Sequence, residues 1–287
     1  MALTITSIGA LYANTQLGWL QRNIDRTVER LSTGYRINSA ADDPVGIGVS
    51  AKMEAQVRGL SQAEQNIEMG ISLLQSTDSV LDEIMDLLLD MRSAASAAAS
   101  ATSTQLQRNA YQSSINTYAT EIERLSSSVI FNGDKILSGS SYVFQVGPNY
   151  GDSYGIRIQP TNAYILGVQV GKSTDAFGDV YISGPTVLST ESAAHSVEKI
   201  DSAIGLLTAR WANVGAVENR LQHTLDVVQS LGTINSAALS SIRDADMAEE
   251  IMNLTRYQLL QSTSATLIST LYQNQKSLVT TLLKAVA

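Results

Sequence analysis

Few side chains in this 287-residue chain are of types that carry chemistry, and their spacing argues against most of it. Cysteine is absent, which excludes disulfide scaffolds and thiolate chemistry and suits a chain exported without disulfide formation. The two histidines, His195 and His223, form no His-Glu-x-x-His pattern and lack the spacing of a metal pair. His223 shares a helical stretch with Leu221 and Leu225 and is expected at an exposed or boundary position. Asp42 and Asp43 could imitate a general acid–base pair, yet helix capping accounts for both, because they precede Pro44, a residue suited to a first helical position. Gly46-Ile47-Gly48 loosely mimics a dinucleotide loop but follows an Asp-Asp-Pro cap and no strand, so close helix packing explains it better. Asn253-Leu254-Thr255 matches a glycosylation sequon inside a helix expected to be enclosed, and is dismissed. The expectation is no catalytic residue, no metal and no cofactor.

Composition narrows the class further. Hydrophobic residues make up 44%, charged residues 16% and aromatics only 6%, which favours long aliphatic helices over a compact aromatic-centred enzyme core. The net charge of −8 argues against nucleic acid, since phosphate binding needs a basic surface. The N-terminus has no Lys or Arg before Arg22 and no long apolar run, so it does not read as a secretory signal peptide. Nothing approaches the roughly 20 apolar residues of a membrane span, so no membrane insertion is expected.

The elements are set by hydrophobic period. Leu3, Ala10, Leu17, Ile24 and Leu31 recur every seven residues, with Leu20 and Val28 filling part of a second row, the narrow seam of a coiled coil. That helix closes at Arg30, which suits the carbonyl end, and Gly34, which can take the left-handed closing conformation. The next helix steps through Met53, Val57, Leu60, Glu64, Ile67, Ile71, Leu74, Asp78, Leu81, Met85 and Leu88, long enough to suggest a rod. Only Glu64 and Asp78 break its apolar row. They mark either the row's wet edge or a buried polar contact fixing register between subunits. Ser93–Thr104, rich in Ala, Ser and Thr, is either a thin helix running into a turn or a flexible link. A third helix carries Tyr111, Ile115, Tyr118, Ile122, Leu125 and Val129 and ends before the Asn132-Gly133 turn. Strands are expected at Tyr142–Val146, Gly155–Gln159 and Tyr164–Val170. A fourth helix runs from Val197 through Ile200, Ile204, Leu207, Trp211, Val214, Glu218, Leu221 and Leu225 to Val228. The last begins around Asp244–Glu250, with acidic residues favoured at its N-terminus. Its rows hold Met247, Ile251, Leu254, Ala265, Ile268, Tyr272, Val279 and Leu282, and beside them Leu260, Leu267, Leu271 and Leu278. Lys276 and Lys284 are its only charges beyond Tyr257, so it should be enclosed by other protein.

Four segments carry a family resemblance. Arg30-Leu31-Ser32-Thr33-Gly34-Tyr35-Arg36-Ile37-Asn38-Ser39-Ala40-Ala41-Asp42-Asp43 resembles the N-terminal signature of bacterial flagellins. Gly59–Ala63 with Asn66 and Gly70-Ile71-Ser72 is similar to that family's second helix, and Phe131–Leu137 resembles the turn closing its N-terminal region. Ile242-Arg243-Asp244-Ala245-Asp246-Met247-Ala248-Glu249-Glu250 resembles the C-terminal signature. Together they cover roughly residues 1–140 and 195–287, in the family's order.

The resemblance implies a mainly α fold with a small β-hairpin region in the middle of the chain. Residues 1–43 and 244–287 would form a terminal coiled coil, 44–137 and 193–243 a helical rod, and 138–192 a hairpin part of that rod, with no separate outer domains. It implies a subunit that polymerises with many identical copies into the bacterial flagellar filament, secreted through the flagellum's own channel without a cleaved signal. Partners would be the export apparatus, a secretion chaperone, the filament cap and hook-junction proteins. The terminal rows would pack between subunits, and Arg30, Arg36, Asn38, Asp42, Asp43, Arg243, Asp244 and Asp246 would lie at subunit contacts. Arg30, Arg36 and Arg243 are otherwise simple surface or cap-adjacent charges.

Other classes fit less well. A monomeric secretion effector or chaperone-like coiled coil would lack the four ordered signatures, and a hydrolase would need a constellation absent from the middle segment. A hook–filament junction protein shares terminal coiled coils, but the 242–250 and 131–137 segments fit flagellin better. The chain also departs from the family. It has Leu271-Tyr272 and Gln275 where flagellins usually show Ala-Asn and then Pro, so the last helix is expected to run on unbroken, and Thr6–Ala10 lacks the usual Asn-rich start. Asp90, Ala94 and Ser114 replace the basic, leucine and acidic residues through which an innate immune receptor recognises many flagellins, so recognition is expected to be weak.

Overall fold

A computed structural model describes residues 8–169, 172–174, 180–182 and 184–286. Five helices dominate: α1 (Ile8–Thr33), α2 (Pro44–Ala99), α3 (Gln105–Ser128), α4 (Thr190–Arg243) and α5 (Met247–Val286). Between α3 and α4 lie three antiparallel strand pairs, β1 (Ile130–Phe131) with β2 (Asp134–Lys135), β3 (Ser141–Gln145) with β4 (Ser153–Arg157), and β5 (Lys172–Thr174) with β6 (Val180–Ile182). The described residues group into two compact units, one from residues up to Gln56 and from Ile234 onward, the other from Val57–Thr233. The division falls inside α2 and α4.

The 57–233 unit is built on the four-and-three apolar row. Leu60, Ile67, Leu74, Leu81 and Leu88 are buried, joined by Leu73, Ile84 and Met91 of α2, Ile115 and Ile122 of α3, and Ile200, Leu207 and Leu221 of α4. The β3–β4 hairpin docks on α2 where Gly59 leaves room, since a Cβ there would meet Pro148 Cβ at 2.7 Å. Asn66 Nδ2 donates to Gln145 O at 3.1 Å, and Phe144 packs against the core.

Glu64 and Asp78 are half-buried and paired within the chain. Gln229 Nε2 donates to Glu64 at 2.7 Å and Trp211 Nε1 donates to Asp78, so both breaks in the α2 row set its register against α4. The Ser93–Thr104 stretch resolves into helix as far as Ala99, a turn, and a new start. Thr104 Oγ1 accepts the Gln107 amide at 3.3 Å while Gln107 Oε1 accepts the Thr104 amide at 2.8 Å, a reciprocal capping box.

One expected strand is not there. From Ala163 to Gly167 the chain forms a turn, with the Leu166 amide on Asn162 O at 3.1 Å and the Val168 amide on Ala163 O at 2.9 Å; Val170 lies outside the described residues. Asn162 Oδ1 accepts the Ile165 amide at 2.9 Å, and Gly167 closes the turn at φ +74°. Local capping by Asn and Gly overrides the β-favouring Tyr, Ile, Leu and Val between them. The preceding segment is pinned by buried Arg210, whose guanidinium donates to Pro160 O and to Thr161 Oγ1 at 3.1 Å; burial holds its pKa below the ordinary arginine value.

The other unit centres on α1 packed along α5. Leu17, Ile24 and Leu31 are half-buried there, and Leu20 is 1% exposed. The second row differs from expectation: Thr27 is 4% exposed and Val28 is 48% exposed, so the row runs Ala13, Leu20, Thr27. A three-four alternation from Leu20 reaches position 27, and Val28 lies one residue too far round the helix. Leu3 lies outside the described residues, as do the side chains of Ala10, Leu278 and Leu282. α5 runs unbroken for 40 residues.

Candidate functional site

The two signature segments meet where both helix pairs break. α1 ends as the Gly34 amide bonds Arg30 O at 2.8 Å, with Gly34 at φ +77°, which an L side chain rarely adopts. α4 ends one residue before Asp244. The connections 34–43 and 244–246 then run side by side: the Arg36 amide donates to Arg243 O at 2.7 Å and the Ala245 amide to Gly34 O at 2.9 Å, an antiparallel bridge of Tyr35 with Asp244.

Side chains reinforce the bridge. Arg30 Nη1 lies 3.0 Å from Glu250 Oε1, and Arg243 Nη1 lies 2.7 Å from Glu54 Oε2 while stacking 4.0 Å over the Tyr35 ring. Arg36 donates to Ile242 O, and Asn38 Nδ2 donates to Tyr35 O at 3.0 Å. These three arginines, expected as surface or cap-adjacent charges, each tie to another part of the same chain, and Arg36 remains exposed.

The two aspartates expected as caps divide the work. Asp43 Oδ1 accepts the amides of Val45 at 3.1 Å and Gly46 at 2.8 Å and caps α2. Asp42 Oδ2 instead closes the loop, accepting the amides of Ser39 at 3.0 Å and Asn38 at 3.3 Å and the Ser39 hydroxyl at 3.1 Å. Desolvation works to raise its pKa; the bonds from Ser39 and Asn38 and the charge of Arg26 outweigh this and hold it below the ordinary carboxylate value. Asp246 caps α5 through the amides of Ala248 at 2.9 Å and Glu249 at 3.2 Å. Asp244 is exposed and takes part through its backbone.

The second feature is the outer face of α5. Toward α1 it turns Glu250, Leu254, Tyr257, Gln261, Ser264 and Ile268, with Gln261 donating to Gln21 at 2.7 Å and Tyr257 set edge-on to Trp19 at 6.1 Å. Of the α5 apolar residues expected to pack, Leu254 and Ile268 are the half-buried ones among the described side chains. Ile251 is 53% and Leu267 58% exposed, and Leu260, Leu271, Tyr272 and Val279 are exposed as well. The reason is count: α5 carries more apolar rows than one partner helix can cover, and α1 takes the more polar of them. An open apolar depression of about 520 Å³ lies between Ile251, Met252, Thr255, Arg256, Leu259 and Leu260.

Tyr35 and Glu54 were missed by the sequence reading. Tyr35 lies within the N-terminal signature, and Glu54 follows Met53 on a helix whose apolar row it borders, but neither carries a local mark of its partner. His195 and His223 are both exposed on α4. Among the described residues no group of three or more His, Cys, Asp or Glu could hold a metal, and no helix is long and apolar enough to cross a membrane. What the arrangement offers is contact: a stitched pair of joints and a helix face without a cover.

Comparison with known proteins places the chain. The model of the bacterial flagellin N-terminal helical region matches residues 5–142, and that of the bacterial flagellin C-terminal helical region matches residues 197–283. The chain is 33% identical over 272 residues to the flagellar filament 30.7 kDa core protein of Treponema maltophilum, covering 92% of this chain and 93% of that one. It is 30% identical over 296 residues to the flagellin of Bacillus subtilis, covering 95% and 97%. Among solved structures, one from Vibrio parahaemolyticus described as a flagellar hook-associated protein matches with a TM-score of 0.56 and 16% identity, over 71% of this chain and all of that one. That last likeness concerns the fold alone.

Proposed function

The chain belongs to the bacterial flagellin family, and from that membership we infer that it is a structural subunit that polymerises into the extracellular flagellar filament, the helical propeller of motility. The observation that carries the reading is the outer face of α5, where Ile251, Leu260, Leu267, Leu271, Tyr272 and Val279 stand exposed along a helix whose only charges beyond Tyr257 are Lys276 and Lys284. Burying one such side chain is worth about 1.5–3 kcal/mol, against an ordering cost of about 1–2 kcal/mol per residue. A lone α1·α5 pair recovers little of that cost, because its shared seam holds Thr27, Gln261 and Ser264. Neighbouring copies supply the missing cover, and folding of the ends is coupled to addition at the filament tip.

On this reading residues 1–43 and 244–287 form the packing domain. Leu17, Ile24, Leu31, Leu254 and Ile268 close each subunit's own pair, and the exposed α5 residues face other subunits. Residues 44–137 and 193–243 form the helical body, with 138–192 as its hairpin part. Function lies in the array itself, and the family is a structural one. The finer partners are the export apparatus, a secretion chaperone, the filament cap and the hook-junction proteins. Support for the export partners is physical: a chain with loosely held ends and no disulfides can enter a narrow channel unfolded.

The test removes residues 260–287 and, separately, 2–20 from the full chain, then looks for filaments by electron microscopy and for helix content by circular dichroism. Each truncation is expected to abolish long filaments while leaving the helical signal of residues 57–233. Normal polymerisation of either would overturn the reading. Intact chain that forms only short caps or rings would favour a hook–filament junction protein instead.

A further inference from the structure

We propose that the two helix breaks form a single latch, so that the joint between α1 and α2 and the joint between α4 and α5 open together and never singly. The inference goes beyond polymerisation, because it concerns a device inside one subunit and needs no filament to be tested.

Three observations carry it. The joints are bonded to each other through the backbone in both directions, Arg36 to Arg243 and Ala245 to Gly34, so neither connection can leave its path without breaking a bond of the other. The helix pairs on both sides of the break are then clamped by ion pairs of one design, an arginine from the last turn before one joint with a glutamate beyond the other. Arg30 at the end of α1 holds Glu250 at the start of α5, and Arg243 at the end of α4 holds Glu54 of α2. Both pairs are largely shielded from solvent, where an ion pair counts for more than on the surface. A shift of α1 at its joint therefore drags α5, and a shift of α4 drags α2.

The third observation is that the closed latch is not fully satisfied. Arg30 Nε and Arg243 Nε are both buried without a hydrogen-bond acceptor. Opening would hydrate both donors while giving up the two carboxylates and the Tyr35 stack, so loss and gain oppose each other at one place. That balance is what a two-position element needs, and packed interfaces favour discrete positions over continuous bending. Tyr35 is the residue that makes the two joints read each other directly, because its ring lies under the guanidinium of the opposite joint and its backbone bridges Asp244.

The test is native-state hydrogen exchange on the full chain as monomer, followed at the amides of Arg36 and Ala245. If the joints are one latch, the two amides share one protection factor, and any variant that loosens one loosens the other by the same factor. Glu250→Gln weakens only the α1·α5 side, Glu54→Gln only the α2·α4 side, and Tyr35→Leu only the stack between them. Each is expected to lower protection at both amides in parallel, by about two- to fivefold, with the amide of Leu81 unchanged as a control for global unfolding. A drop at one amide with the other at its wild-type value would overturn the proposal. So would unchanged protection at both amides in all three variants, or unequal protection in the unaltered chain.

Discussion

The 57–233 unit and the α1·α5 pair are both made of long helices with apolar rows, yet they spend those rows differently. In the first, Leu73, Leu74, Leu81, Ile84, Leu88 and Met91 are fully enclosed, and even the polar breaks Glu64 and Asp78 find Gln229 and Trp211. In the second, Thr27, Gln261 and Ser264 interrupt the seam and most of the large side chains of α5 face outward. A helix that buries its apolar row within its own chain contributes to the stability of the subunit. One that exposes it contributes only when another molecule arrives.

The sharpest way to break this comparison is a matched pair of truncations. Leu88→Ala removes a buried side chain and is expected to cost about 2–5 kcal/mol, seen as a lower thermal midpoint of the monomer. Leu267→Ala is expected to leave that midpoint within about 0.5 kcal/mol while raising the critical concentration for filament growth about tenfold or more, as loss of a buried Leu contact would. Equal effects of the two on monomer stability would erase the distinction.

A smaller effect is expected at the joint that serves both helix pairs. A Cβ at position 46 would fall 2.3 Å from Asp43 Oδ2 and 2.6 Å from Ile37 Cδ1. Gly46→Ala should therefore displace the α2 cap at a cost of about 1–3 kcal/mol, read as faster exchange of the Val45 and Gly46 amides with little change at Leu81.

The outer face of the 57–233 unit gives a functional contrast. Asp90 is exposed, and Ala94 and Ser114 are half-buried, so this face offers an acid and two small side chains where recognised flagellins are expected to offer a basic, a bulky apolar and an acidic anchor. Interface anchors of this kind are worth more than about 1 kcal/mol each. Purified monomer should give weak or absent activation in a receptor reporter assay; robust signalling would contradict this.

The smallest effect is set by pH. Because the folded pKa of Asp42 is lowered, its ionised form stabilises the 38–42 loop above the unfolded carboxylate pKa, and that contribution is lost as pH falls through the folded value. Acid below the ordinary carboxylate range should therefore loosen the joint. Asp42→Asn should flatten the acid dependence of exchange at Ser39, and an unchanged profile would show that another group governs it.

Much of this was legible in the sequence because it is local. The α2 and α4 rows announce themselves by period, Gly34 and Pro44 by backbone conformation, and the family segments by their residue order. What escaped was long-range or a matter of one residue's rotation. Thr27 takes the seam position and Val28 does not, although apolarity alone favours Val28. Tyr164–Val170 has strand composition, but Asn162 and Gly167 bracket it as a turn. Asp42 and Asp43 look interchangeable until the loop beside them is folded. Arg30 with Glu250 and Arg243 with Glu54 are about 200 residues apart in the chain, and no local pattern pairs them.

The central claim is that the terminal helices are completed by other copies of the chain while the 57–233 unit completes itself. Hydrogen exchange of intact monomer and of assembled filament, read peptide by peptide, tests it most directly. The account predicts that peptides within 8–20 and 260–286 exchange rapidly in the monomer and become strongly protected in the filament, while peptides spanning Leu73–Met91 are protected equally in both. Terminal peptides already protected in the monomer to the level of Leu73–Met91 would contradict it.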